Sequence, residues 1–211
     1  MIKKHLLLFA ICLVSLNVLA QKQIYESPKL RDAVKQHKIV AIMPFKVTIS
    51  YKKQPKNFDA NANHQQELAY ATKIQTSMYT FLLRKAKNYT VEFQDVEKTN
   101  ILLRKAGVYD KLDETTKDEL AKILGVDAII SGDFNVEQTK SEAAAIGLMV
   151  LTGGLGGKTG DGNLILNIHN GVDGELIWRF TKTMDEGIST ATDDLIEHMM
   201  RKVSRNFPYD K

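Results

Sequence analysis

The chain has 211 residues, 44% of them hydrophobic and 26% charged, with a formal charge of +4. That length suits one domain with a full core, with two small domains as the alternative. Charges of both signs are interspersed, so neither nucleic acid nor an anionic lipid surface is indicated as a partner.

The chain begins Met1-Ile2-Lys3-Lys4-His5 and continues through an apolar run of about eleven residues, Leu6 to Leu16. Val18-Leu19-Ala20 supplies compact residues where a signal peptidase reads, so the sequence predicts a signal peptide over 1–20 and an exported chain. The run is short for a membrane-spanning helix, which needs about twenty residues, and an uncleaved membrane anchor is the alternative. The single cysteine, Cys12, lies inside it, and Gln21 stands where a lipoprotein would carry its lipid-accepting Cys. The mature chain is therefore expected to lack disulfides, thiol metal ligands and that kind of lipid anchor. Losing Lys3 and Lys4 with the leader leaves a charge of about +2.

Along the mature chain, Ser27-Pro28 followed by Leu30 and Val34 predicts a short helix over about 26–36, with Pro in its first turn. Ile39 to Phe45 is a continuous apolar run, as in a strand buried on both faces. It continues through Val47 and Ile49 to Tyr51 in alternation, as though one face had entered solvent. Residues 52–62 are polar and contain Pro55, which predicts a loop; Lys52, Lys53 and Lys56 there read as a solvated surface, with a small basic patch as the alternative. Leu68, Ala71, Ile74, Met78, Phe81 and Leu82 recur at three- and four-residue steps, predicting a long amphipathic helix over about 63–87.

A short strand is expected at Tyr89 to Phe93 and a helix from Val96 to Ala106, closed by Gly107. Thr116 and Glu119 have capping-box spacing and open a helix that ends at Gly125. Val126 to Val136 is a second buried strand. Asn163–Ile168 and Glu175–Phe180 form a hairpin across Asn170-Gly171 and Asp173-Gly174, with Leu176, Trp178 and Phe180 toward one face. A last helix over about 189–206 uses Leu195, Ile196, Met199 and Val203. The expected fold is thus one three-layer-like α/β domain over 21–211. Its mixed five-stranded sheet has a parallel β-α-β-α-β part plus an antiparallel C-terminal hairpin, with helices on its faces.

One segment departs from this pattern. Residues 141–162 form a Gly-rich apolar insertion in which Ala143 to Leu151 carry no charge. Gly157-Lys158-Thr159 ends like a phosphate loop, yet Thr152 replaces the required earlier glycine, and Gly160-Asp161-Gly162 follows where a helix should open. No nucleotide partner is expected. The alternatives for the segment are a short helix packed on the sheet and a partner or membrane contact through Ile146, Leu148, Met149, Val150, Leu151 and Leu155. A run of nine residues is too short to span as a helix.

Other chemistry is sparse. His37, His64, His169 and His198 lack metal-ligand spacing. Ser131 in Ile130-Ser131-Gly132-Asp133 lacks the preceding glycine of a nucleophile elbow. Asp127 and Asp133 flank a strand without a readable cleft. No catalytic, cofactor-binding or metal-ligating residue is assigned.

In order, the landmarks are the strand ending Pro44-Phe45, the long helix, Tyr89 to Asp95, Ala121 to Gly132 with Leu124-Gly125-Val126-Asp127-Ala128-Ile129-Ile130-Ser131-Gly132, and Asp173-Gly174-Glu175-Leu176-Ile177-Trp178. Together they resemble the cell-envelope α/β superfamily of the curli-secretion channel lipoproteins, the amino-terminal domain of TolB and the lipoprotein activators of penicillin-binding proteins. The resemblance covers about 38–206. It implies an exported, non-enzymatic accessory or assembly protein, periplasmic or outer-membrane-associated, that binds an envelope protein or self-associates without a cofactor. An alternative is an oligomeric secretion-channel component contacting the membrane through 143–156. The absent lipid-accepting Cys and the lack of a second insertion after Trp178 depart from the channel members.

Overall fold

The computed structural model describes residues 23–138, 160–184 and 199–211. The expected leader, the centre of the Gly-rich segment and the start of the last helix lie outside the described residues.

The elements follow the α/β order. They are β1 (Gln23–Glu26), α1 (Leu30–Gln36), β2 (Ile39–Ile42), β3 (Lys46–Tyr51), α2 (Ala60–Arg84), β4 (Glu92–Phe93), α3 (Val96–Lys105), α4 (Lys117–Leu124), β5 (Ala128–Gln138), β6 (Gly160–Asn170) and β7 (Leu176–Met184). The sheet has seven strands in the order β1-β7-β6-β5-β2-β4, with β3 also paired to β5. β2, β3 and β4 run parallel to their partners, whereas β6, β7 and β1 are joined antiparallel. The α/β class and the parallel-then-hairpin plan hold. The count rises from five to seven for two reasons. The Gln23–Glu26 strand was not expected, and the single strand expected over 39–51 is two.

That division has a local cause. β2 pairs Ile42 with Ile130, and β3 pairs Lys46 with Asp133, so the connecting stretch holds one residue more than β5 does beside it. Pro44 cannot donate a ladder hydrogen bond. Met43 still donates to the Ile130 carbonyl (2.9 Å) before the chain bulges. The Phe45 ring then lies over Gly132, where an added Cβ would fall inside the ring's contact distance. A second bulge follows in the hairpin: His169 pairs with Leu176 but Ile168 with Trp178, leaving Ile177 as the extra residue. Leu176 is therefore half-buried and out of phase with Trp178 and Phe180, a correction to the simple alternation.

Helices cover both faces of the sheet, though unequally. On one face Ile74, Met78, Phe81 and Leu82 of α2 pack on Val47, Ile49, Phe134 and Val136, in a cluster that also holds Trp178, Phe180, Val203, Phe207 and Tyr209. On the other, Leu103 of α3 and Leu120, Ala121 and Leu124 of α4 cover only Ala41, Met43 and Ile129. The buried amide of Gln75 donates to the Ile42 carbonyl (2.8 Å) and exchanges hydrogen bonds with Asn100, which ties α2, α3 and β2 together. Among the described residues, Asn163 Oδ1 and Trp178 Nε1 are the buried side-chain polar atoms without a partner.

Helix ends follow capping chemistry more than apolar onset. α2 starts at Ala60, earlier than expected, because the Asp59 carboxylate accepts from Asn61 N (2.8 Å) and Ala62 N (3.2 Å). Asp95 does the same for α3. Thr116 makes no capping hydrogen bond, so the expected capping box is not formed, while Gly125 closes α4 at φ 64° as anticipated. β4 shrinks to two residues because Thr90 instead donates to the Tyr209 carbonyl (2.9 Å) and Tyr89 bridges Asp210, docking the C-terminal segment.

Candidate functional site

Beyond Met43 the second face of the sheet carries no helix among the described residues. Strand pairing brings polar side chains together there in cross-strand rows. Ser131, Asn167, Arg179 and Tyr25 form one row. Lys46, Asp133, Ile165, Thr181 and Gln23 form the next, and Thr48, Asn135, Asn163 and Thr183 a third. Lys46, Thr48, Ser50, Asn135, Glu137, Arg179 and Thr183 are exposed.

At the edge of this face lies a pocket of about 210 Å³ between the sheet and the start of α4, lined by Lys46, Asp113, Lys117, Ser131, Asp133 and His169 among others. Lys46 Nζ donates to Asp113 (2.5 Å), which lies in the turn before α4. Arg179 Nε donates to Asn167 Oδ1 (2.7 Å), so the buried amide fixes the guanidinium against the sheet. His169 Nδ1 donates to the Gly174 carbonyl (3.1 Å). Burial lowers the His169 pKa, the Gly174 carbonyl opposes that, and the nearby Lys117 and Arg179 charges lower it further. Burial raises the Asp133 carboxyl, Lys46 opposes this, and Asp113 adds to it. The ensemble offers hydrogen-bond donors and acceptors of both charges, with no nucleophile and base in contact.

On the outer edge of β3 there is a second concavity, a cleft of about 610 Å³ between α2 and the 109–114 turn. Its floor is apolar, with Val47, Ala71 and the half-exposed Leu68. The two concavities meet at Lys46 and Asp113.

The residues weighed from sequence fall as follows. Ser131 lies half-buried on the open face, its register partner being Asn167. Asp127 immediately precedes β5 and Asp133 lies within it, about 20 Å further on at the ordinary rise of a strand, so they do not form a pair. Asp127 Oδ2 accepts from Lys38 N (2.8 Å) and Ile39 N (2.9 Å). His37 is buried between Tyr209 and Asn170, and exposed His64 lies beside Glu67. Among the described residues no group of three or more His, Cys, Asp or Glu could hold a metal ion, and no helix is long and apolar enough to cross a membrane. Lys52, Lys53 and Lys56 are exposed on their loop. The contact residues Ile146, Leu148, Met149, Val150, Leu151 and Leu155, the Gly157-Lys158-Thr159 stretch and His198 lie outside the described residues. Sequence reasoning missed the open face. The hint available was that polar alternation recurs in four strands at once, in Lys46-Thr48-Ser50, Ser131-Asp133-Asn135-Glu137, Asn163-Asn167 and Arg179-Thr181-Thr183.

No protein-family model and no curated protein matches the chain. Similar solved structures include lipoprotein GNA1162 from Neisseria meningitidis, 10% identical, with a TM-score of 0.46 over 80% of this chain and 96% of that one. The C-terminal domain of LpoB from Salmonella enterica is 11% identical with a TM-score of 0.35, over 74% and 94%. A PelC dodecamer from Paraburkholderia phytofirmans is 11% identical with a TM-score of 0.40, over 90% and 99%. At identities of 10–11% and TM-scores below 0.5, these likenesses carry no argument about what this chain does.

Proposed function

We propose that the chain is an exported, non-enzymatic accessory or assembly protein of the cell envelope, periplasmic or outer-membrane-associated and without a lipid anchor. Through the open polar face it binds an envelope protein partner or a further copy of itself. The observation that supports this most strongly is the asymmetry of the sheet. One face is packed against α2 and the C-terminal segment, while on the other Thr48, Asn135, Arg179 and Thr183 stand in exposed rows. Such a face gives up the burial that a covering helix would provide, and its amides and hydroxyls suit a hydrogen-bonded, wet protein interface. Export rests on the leader over 1–20, and the absence of an anchor on Gln21.

The uncharged run Ala143 to Leu151 favours a second contact, with Ile146, Leu148, Met149, Val150, Leu151 and Leu155 set against a partner or a membrane. In an oligomer, that contact would suit a secretion-channel component.

The test compares co-isolation from envelope extract by the mature protein, by an Asn135→Arg/Thr183→Arg variant and by Leu148→Asp. The expected result is a reproducible partner band, or homo-oligomer, that falls at least about tenfold with the face variant, as placing two unpaired cations in an interface would require. Undiminished recovery by the face variant would remove the open face from the account. A Leu148→Asp protein that alone loses partner, or loses liposome binding, would move the contact to the 143–156 segment.

A further inference from the structure

The geometry points to the cleft beside β3 as a groove for an extended, cationic–apolar peptide segment of a partner protein, added to the edge of β3 that no described strand pairs. The inference goes beyond the open face: Lys46 and Thr48 border both, but the groove runs along the outer edge of β3.

Three observations carry it. The first is the state of the strand edge. Lys46, Thr48, Ser50 and Lys52 turn their backbone toward β5, as the Lys52 N–H on the Gln138 carbonyl (2.9 Å) marks, so Val47 and Ile49 turn theirs outward. At Ile49 that edge is closed by α2: the Glu67 carboxylate accepts from Ile49 N (2.8 Å) and Asn63 donates to the Ile49 carbonyl (3.3 Å). Val47, one step nearer the cleft and lining it, has no such side-chain partner among the described residues. Its N–H and C=O are placed for a two-bond bridge to an incoming strand.

The second is the floor. Leu68, on the α2 wall, is 48% exposed, and Ala71, Val47 and Leu112 continue the apolar surface under it. An exposed leucine over an apolar concavity gives an extended segment an anchor for one side chain.

The third is charge. Glu67, Asp110, Asp113 and Glu114 line the cleft against Lys46 and Lys111, four carboxylates to two ammonium groups. Lys46 is bound to Asp113, which leaves Glu67, Asp110 and Glu114 against Lys111, with Asp110 and Glu114 on the exposed rim. A rim with surplus carboxylate selects lysine or arginine next to the apolar anchor.

The experiment uses the mature full chain and two labelled hexapeptides, Lys-Val-Lys-Val-Lys-Val and its Glu-Val counterpart, followed by fluorescence anisotropy with backbone amide shifts mapped by NMR. The cationic peptide is expected to bind at least about tenfold tighter, a ratio equal to one decade of affinity, with the largest shifts at Val47 and Thr48. Asp110→Lys with Glu114→Lys should reverse the preference, and Leu68→Ser should weaken the cationic peptide several-fold. All three positions are exposed, so folded variants are expected, and far-UV circular dichroism confirms that they are. Equal binding of both peptides, no binding up to about 1 mM, or a preference unmoved by the charge reversal would overturn the inference. So would a mature protein that sediments as a dimer and becomes monomeric with Leu68→Ser, which would assign the cleft to a second copy. Asn135 and Thr183 do not line this cleft, so the Asn135→Arg/Thr183→Arg comparison reports on the open face separately from these results.

Discussion

At the scale of single residues, the polar groups that looked most like chemistry turn out to hold the chain together. Asp127 is the clearest case. Burial pushes its carboxyl up, but the Ile39 and Lys38 amides, with the neighbouring His37 and Lys38 charges, hold it below the usual carboxylate value. Its partners lie almost ninety residues away in sequence, so no local pattern could reveal that this acid anchors the start of β2. Asp127→Ala is expected to lower unfolding stability by about 2 kcal/mol, the worth of hydrogen bonds to a charged group, read from urea midpoints. His37 acts in a similar way. Nε2 donates to Asn170 Oδ1 (3.2 Å), which leaves Nδ1 to accept from the Tyr209 hydroxyl (2.8 Å). Burial lowers the His37 pKa, with Asn170 and Asp127 opposing, and His169 is lowered too. The unfolded chain therefore takes up protons at a higher pH than the folded one. Stability should be fully present above the ordinary histidine value of about 6.5 and decline as pH falls below it. Chemical denaturation at pH 7.5 and 5.5 checks this, and His37→Gln should flatten part of the slope. A midpoint that rises toward acid would contradict the assignment.

At the scale of elements, type was legible and termini were less so. The spacing from Leu68 to Leu82 located α2, and the Asn170-Gly171 and Asp173-Gly174 signals located the hairpin turn, where the Asp127 carbonyl approaches Gly171 too closely to admit a side chain. What escaped was phase. An apolar run such as Ile39 to Phe45 has no alternation to lose, so the bulge that separates β2 from β3 leaves no mark in hydrophobicity; the mark is Gly132 on the opposite strand. Gly132→Ala is expected to destabilise by about 1–3 kcal/mol through overpacking against Phe45. Phe45→Leu in the same background should recover part of that loss, a coupling that a double-mutant cycle in thermal unfolding would measure. Additive effects of the two changes would show that the ring and the glycine do not meet.

At the scale of the whole molecule, the sequence established the α/β plan and offered no reactive cluster, while the surfaces that matter for binding emerge only when strands are set in register. Thr48, Asn135, Asn163 and Thr183 are unremarkable in their own segments and become one row after pairing. The site residues expected between Ile146 and Leu155 lie outside the described residues, so the open face and the β3 cleft are additions to that expectation. The polar sheet face is the proposed docking surface. Photo-crosslinking amino acids placed at Asn135 and Thr183, with Lys122 on the solvent side of α4 as the control, test it in cells of the native host. Discrete, reproducible adducts from the two face positions and none from Lys122 are the expected result. Adducts of equal yield at all three positions, or at Lys122 alone, would contradict the claim.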